Sequence, residues 1–280
     1  VEQNYKAATR DLARYYYSLE TEEDNRKALD YYLQYIEYNP KDTDTLLHIG
    51  LIYESGLGVP LNIDLARRYY ERAAEQDETG MAYNFLGGTY MNDEETESNE
   101  RKAVHYFQKA IELGNTNAMF RISYYLHNGK GGLQVDIPRE IELLTEASKR
   151  GNHQATYRLG LLFEDNESGM AQNLELSVKY FQLAADNGIL AAINKMGELY
   201  LFGEVIPANL TKAISCFTAA SEQGYGKASY WLGRLHTDGI GQLEKDTQKA
   251  MTITVKLSNK VMKKPESGWN NSKKIWWTRP

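Results

Sequence analysis

The chain is short of several things, and each shortage excludes something. It has one cysteine, Cys216, in 280 residues, so no intramolecular disulfide can form. It has no run of about 18 apolar residues, hence no candidate for a membrane-crossing helix. Basic residues do not dominate: 32 Lys and Arg stand against 38 Asp and Glu, a formal net charge of -6. A general nucleic-acid binder needs a basic face, so nucleic acid is not the expected partner. The five histidines, His48, His105, His127, His153 and His236, show no metal-ligand spacing, and no metal site is expected. Phenylalanine and proline are scarce, at 7 and 6, whereas tyrosine reaches 21. That many tyrosines suit half-buried helix faces, with the ring inside and the hydroxyl at the edge. The first residue is Val1 rather than Met. This leaves the compartment open, with a removed leader, and so a periplasmic or secreted location, favoured.

What is present is a repeat. A small residue recurs at Ala13, Gly50, Gly87, Ser123, Gly160, Gly197 and Gly233. Each stands second in a word such as Leu159-Gly-Leu-Leu-Phe163 or Met196-Gly-Glu-Leu-Tyr200. Five residues earlier comes another small residue: Ala8, Thr45, Ala82, Ala118, Ala155, Ala192 and Ala228. A second segment follows in each unit, starting at Ala28, Ala66, Ala103, Glu140, Ser177, Ala213 and Ala250. Three residues on lie Tyr31, Tyr69, Tyr106, Leu143, Tyr180, Cys216 and Ile253. Spacings of three and four put these side chains on one helical face. Each unit therefore reads as an antiparallel helix pair, helix A then helix B. A helix-interior Gly costs about 1 kcal/mol relative to Ala, and close approach of a helix B ring is the reason to keep it.

Gly56-Leu-Gly58 invites a phosphate-loop reading, but no strand precedes it and no GK[ST] follows. Gly129-Lys-Gly131 and Gly239-Ile-Gly241 occupy the same place in other units. These are expected to be turns between helices A and B, with Asn62 or Asp64, Asp136, and Asn209 or Thr211 as caps. No nucleotide or other small-molecule cofactor is expected. Cys216 stands where other units carry Tyr or Leu, and is expected to be a buried, inert filler.

The words A-x-x-x-L-G-x-x-Y, G-x-G-V-x-x-D and A-x-x-Y-Y/F-x-x-A-A-E-x-G resemble the Sel-one-like repeat, a relative of the tetratricopeptide repeat. Thr45 to Gln76 carries them best and Ala192 to Gly224 nearly as well. The third and fifth units lack the Gly-x-Gly loop, and the fourth has Ser123 for Gly and Glu140 for Ala. The resemblance implies an all-α fold: a right-handed α-solenoid of seven antiparallel helix pairs over residues 1–262. Residues 263–280, rich in Lys and Trp, would form a cap or tail. It also implies a protein that binds other proteins in a concave groove and has no chemistry of its own.

Transferring the groove positions through the L-G-x-x-Y word nominates helix A residues three before and one after each small residue. Phe120, Tyr124, Tyr157, Asn194, Tyr230 and Arg234 are the expected partner contacts, since aromatics and Arg are the usual interface anchors. Phe120 and Tyr157 could equally pack between neighbouring repeats. The expected partner is another protein. Family members include immunity proteins against secreted effectors and adaptors in membrane-protein quality control. A repeat-fold hydrolase is the alternative, and a single Cys with no acid–base constellation speaks against it.

Overall fold

A computed structural model describes residues 2–165 and 172–238, with side chains from Ala8 onward. Among the described residues there are thirteen helices and no strand. They are α1 (Glu2–Ser18), α2 (Glu22–Tyr38), α3 (Thr43–Ser55), α4 (Ile63–Ala74), α5 (Met81–Met91), α6 (Glu97–Glu112) and α7 (Thr116–Asn128). Then follow α8 (Ile137–Lys149), α9 (His153–Glu164), α10 (Leu174–Asp186), α11 (Leu190–Phe202), α12 (Leu210–Glu222) and α13 (Gly226–Asp238). The helix B expected around Ala250 and Ile253, the Gly239-Ile-Gly241 turn and the 263–280 tail lie outside the described residues.

The chain divides into two compact units between Asp136 and Ile137. In the first, α1 pairs with α2, α3 with α4 and α5 with α6, and each helix B also packs on the next helix A, up to α7. In the second, α8 packs on α9, α9 pairs with α10, α10 packs on α11, α11 pairs with α12, and α12 packs on α13.

The small residues do what their spacing demands. A Cβ built on Gly87, Gly160 or Gly197 would lie 2.6 Å from the ring of Phe107, Phe181 or Phe217 respectively. Gly50 is pressed in the same way by Tyr70. These rings are fully buried plugs, and they stand one residue after the helix B positions singled out by the repeat. The singled-out tyrosines stack instead on the last aromatic of the L-G-x-x-Y word. Tyr16 meets Tyr31 at 5.7 Å, Tyr53 meets Tyr69 at 6.0 Å, Tyr90 meets Tyr106 at 5.7 Å and Phe163 meets Tyr180 at 5.6 Å, all within 10° of parallel. Each such pair adds about 0.5–1.5 kcal/mol beyond its buried area. The earlier small residues from Thr45 to Ala228 are fully buried, whereas Ala8 in the first repeat is exposed.

The glycine loops are turns. Gly56 ends α3 in the left-handed region, with φ 66°, and its N–H donates to the Ile52 carbonyl. A Cβ on Gly58, also left-handed, would collide with the Glu22 carbonyl of α2, and Arg26 Nε donates to the Gly58 carbonyl at 2.6 Å. Gly131 packs equivalently on Glu100 and Val104 of α6. The second glycine thus seats the turn on the preceding helix B. Asn62 and Asn209 cap α4 and α12, accepting from Leu65 N–H at 2.9 Å and Lys212 N–H at 3.0 Å. Asp42, Asn115 and Asn152 cap the A helices α3, α7 and α9 in the same manner.

Candidate functional site

The helix A positions converge differently in the two units. In the second unit, Tyr157 of α9 is half-buried, its ring 5.7 Å from Phe181. Burial and the nearby Tyr225, Glu198 and Glu164 push its hydroxyl well above the ordinary tyrosine range. Asn194 of α11 is buried, 4% exposed, and donates from Nδ2 to Glu198 Oε1 at 2.9 Å. Its amide oxygen has no partner among the described residues. Trp231 of α13 donates from Nε1 to the same Glu198 oxygen at 3.0 Å and stacks on Phe217. Lys195 Nζ pairs with Glu164 at 2.8 Å and lies over the Phe181 ring. Tyr230 is 57% exposed, and Arg234, one turn on, is exposed too. Phe202, 56% exposed, meets the edge of Trp231. Glu198 therefore joins α11 to α13, and Lys195 joins α9 to α11.

In the first unit, Phe120 and Tyr124 lie one turn apart on α7, both half-buried. Lys130 Nζ stands 5.6 Å over the Tyr124 ring and 2.7 Å from Glu95. Between α3 and α4, Tyr70 donates its hydroxyl to Glu54 Oε2 at 2.7 Å. Burial raises the Glu54 carboxyl above its ordinary range, opposed by the Tyr70 hydrogen bond and by Arg121 and Arg67. Arg67 is held by Asp93 at 2.6 Å and by Thr89, with Tyr90 beneath it.

Known proteins share this sequence pattern. The Sel1 repeat model matches seven times, at residues 6–34, 44–78, 80–115, 116–152, 153–189, 190–225 and 226–252. The chain belongs to the Sel1 repeat family. A curated relative, protein sel-1 homolog 2 of Rattus norvegicus, is 40% identical over 72 residues, 26% of this chain and 10% of the relative. This chain thus spans about a tenth of that relative's length. Among solved structures, a Sel1 repeat protein from Oxalobacter formigenes superposes with a TM-score of 0.71 at 23% identity, covering 88% of this chain and 96% of that one. An immunity protein from Pseudomonas aeruginosa superposes with a TM-score of 0.56 at 18% identity, covering 85% and 88%. At these identities the likeness carries the fold.

Within the Sel1 repeats, the nominated contacts do not form one class. Tyr157 and Asn194 gather around Glu198, whereas Tyr230 and Arg234 sit on the open side of α13 and leave Glu198 to Trp231. The register that sequence reasoning passed over lies two residues before each small residue. It holds His48, Phe85, Arg121, Arg158, Lys195 and Trp231. Four of these lie over the plug ring of the preceding helix B: His48 on Tyr32, Phe85 on Tyr70, Lys195 on Phe181 and Trp231 on Phe217, at 5.2–6.0 Å. Arg158 takes the departure of the fourth repeat as its partner, with Nη2 3.1 Å from the fully buried Glu140. The signal was an aromatic or cation at that register in each of these repeats.

Cys216 is half-buried rather than buried, because it stands one residue before the plug ring Phe217, at the position whose tyrosines lie outside the plug layer in other repeats. Burial still raises its thiol pKa. No group of three or more His, Cys, Asp or Glu among the described residues could hold a metal. No described helix is long and apolar enough to cross a membrane. The second unit also has a cleft of about 630 Å³ between α10, α11 and α12, lined by Val178, Leu183, Tyr200, Pro207 and Lys212.

Proposed function

We propose that this chain is a non-catalytic scaffold that captures a partner protein on its helix A faces, and that it acts as an immunity or inhibitor protein against a secreted effector. The observation that carries the reading is the exposed aromatic and polar display on the second unit's A helices. Tyr230, Phe202 and Arg234 are open to solvent, beside a network of Glu198, Asn194 and Trp231 that fixes the surface under them. Exposed aromatics and Arg beside a rigid polar network are what interface anchors and rims require. Stacked repeats offer extended surfaces for such contacts. Likeness in fold to an immunity protein supports the narrower role. The candidate contacts are Phe120, Tyr124, Tyr157, Asn194, Tyr230 and Arg234.

The test is capture from the native cell, followed by cross-linking. Tyr230 is replaced by a photo-crosslinking phenylalanine and, as a control, so is Leu183 in the α10 cleft. The expected result is a single protein partner retained by the wild type and cross-linked from position 230. A partner cross-linked from 183 alone, or turnover of a substrate by the purified chain, would overturn the reading.

A further inference from the structure

The turn of the sixth repeat departs from its equivalents at one residue. Residues 203–209 align residue for residue with residues 56–62. Both turns open on a left-handed glycine, Gly203 or Gly56. Both close with the N–H of the cap donating to a tyrosine carbonyl, Asn209 to Tyr200 at 2.8 Å and Asn62 to Tyr53 at 2.9 Å. Between these ends Val205 stands where Gly58 does, and where Gly131 does in the fourth repeat. Those two glycines are left-handed and have no room for a Cβ, which would lie 2.3 Å from the Glu22 carbonyl or 2.6 Å from Val104. Val205 is not left-handed; among the described residues Glu20 is the one non-glycine that is. A β-branched side chain suits neither that conformation nor that space. The turn therefore cannot seat on α10 as the others seat on α2 and α6. Beside it lies the cleft of about 630 Å³, lined by Pro207 of the turn and by Val178 and Leu183 of α10.

A second loss falls on the same place. Met196 and Tyr200 of α11 also line the cleft. Tyr16, Tyr53, Tyr90 and Phe163, which share the register of Tyr200, each stack on a tyrosine of their own helix B. In the sixth repeat that tyrosine is Cys216, and no described ring stacks on Tyr200. Lys212, one turn before Cys216 on α12, lies 5.1 Å over the Tyr200 ring. Lys212 and Lys179 both line the cleft, and neither forms an ion pair with a described residue. The one carboxylate lining it, Asp186, already accepts from Gln182 Nε2 at 2.7 Å. The lining is thus apolar, has an unstacked ring and carries one net positive charge.

We infer that this cleft binds a small aromatic carboxylate, its ring stacked on Tyr200 in place of the missing tyrosine and its carboxylate held by Lys179 and Lys212. Clefts of about 300–1,000 Å³ with apolar walls and a few polar groups are what small ligands fill. Parallel ring stacking is the contact the repeat already uses at this register. A single negative charge matches the two lysines less Asp186. The site is separate from partner capture and does not rest on it.

The full chain, labelled with ¹³C at the methionine methyls, is titrated at constant ionic strength with naphthoate, its neutral amide, its fully saturated analogue and inorganic phosphate. The Met196 methyl, assigned by its loss in Met196→Leu, should shift saturably with naphthoate through the ring current. The saturated analogue should bind about threefold more weakly or worse, having no π face, and the amide about fivefold more weakly or worse. Lys179→Gln and Lys212→Gln should each weaken naphthoate about two- to fivefold, as loss of an exposed ion pair does. Cys216→Tyr, which restores the tyrosine of the other repeats, should weaken it about tenfold or more with a melting temperature equal to or above that of the wild type. Absence of a saturable Met196 shift, equal binding of the amide or the saturated analogue, or an equal response to phosphate would each overturn the assignment. So would undiminished binding in both lysine variants, or in a folded Cys216→Tyr.

Discussion

Arg121 in the first unit and Lys195 in the second are the same position of the same repeat, yet one cation is free and the other is tied. The difference lies one repeat back, where Met91 stands in the register of Glu164. Arg158, a third instance, reaches the fully buried Glu140 of α8 instead. A repeat register therefore fixes where a side chain goes but not what it does there. The neighbouring repeat decides whether a cation stitches helices together or forms no salt bridge.

The comparison breaks most sharply at the tied end. Glu140→Ala should destabilise the protein by about 3–5 kcal/mol, because it strands Arg158 in a buried place. Replacing both residues by apolar ones should recover most of that loss in denaturant melts. If Glu140→Ala melts like the parent, the pair does not hold α8 to α9.

The glycines offer a second contrast. Gly160→Leu and Gly197→Leu should each cost about 1–3 kcal/mol by overpacking against Phe181 and Phe217. Gly88→Ala should instead be neutral or gain up to about 1 kcal/mol of helix propensity, since its Cβ meets only ordinary contact. Thermal melts of the three variants check the sign, and a loss at Gly88 comparable with that at Gly160 would show that Gly88 is packed as tightly.

How far the sequence reveals this varies with the physics. The repeat is legible because the close approach of a ring to a helix backbone needs a small residue each time: Gly50 under Tyr70, Gly160 under Phe181. Helices and turns follow from it, as do the caps Asn62 and Asn209. Which helix B ring is the plug is not legible: the repeat singles out Tyr69 and Tyr180, yet Tyr70 and Phe181 meet the glycines, because both neighbours are aromatic and a one-residue step on a helix changes which partner each meets. The ties between repeats, Lys195 to Glu164 and Trp231 to Glu198, were not legible. They depend on two residues about 30 positions apart, each unremarkable in its own repeat. The repeat word places Tyr157 and Asn194 on helix A, but the burial of Asn194 and their place beside Glu198 emerge only from the packed repeats.

Smaller effects refine the contrast of cations. Lys195→Met should cost no more than about 1 kcal/mol, as a partly exposed pair does. Arg121→Met should cost nothing or stabilise slightly, because it removes an unpaired, desolvated charge. Equal losses in the two variants would show that Arg121 is tied after all. The smallest effect is in pH. Burial raises the folded-state pKa of Glu54 above its unfolded value, so its contribution to stability is full below the ordinary Glu pKa and is lost as pH rises through the raised one. Glu54→Gln removes this term. The variant should therefore gain on the wild type in chemical denaturation as pH rises from about 4 toward neutrality. A constant difference across that range would contradict the sign.

The most direct test of the scaffold account is the affinity of the captured partner for three proteins measured side by side: wild type, the Tyr157→Ala/Tyr230→Ala double variant, and Leu183→Ala in the α10 cleft. Thermal melts confirm that each is folded. Binding through the helix A faces predicts a loss of about tenfold or more in the double variant and an unchanged affinity for Leu183→Ala. A folded double variant that binds like the wild type, with the loss falling on Leu183→Ala, would contradict it.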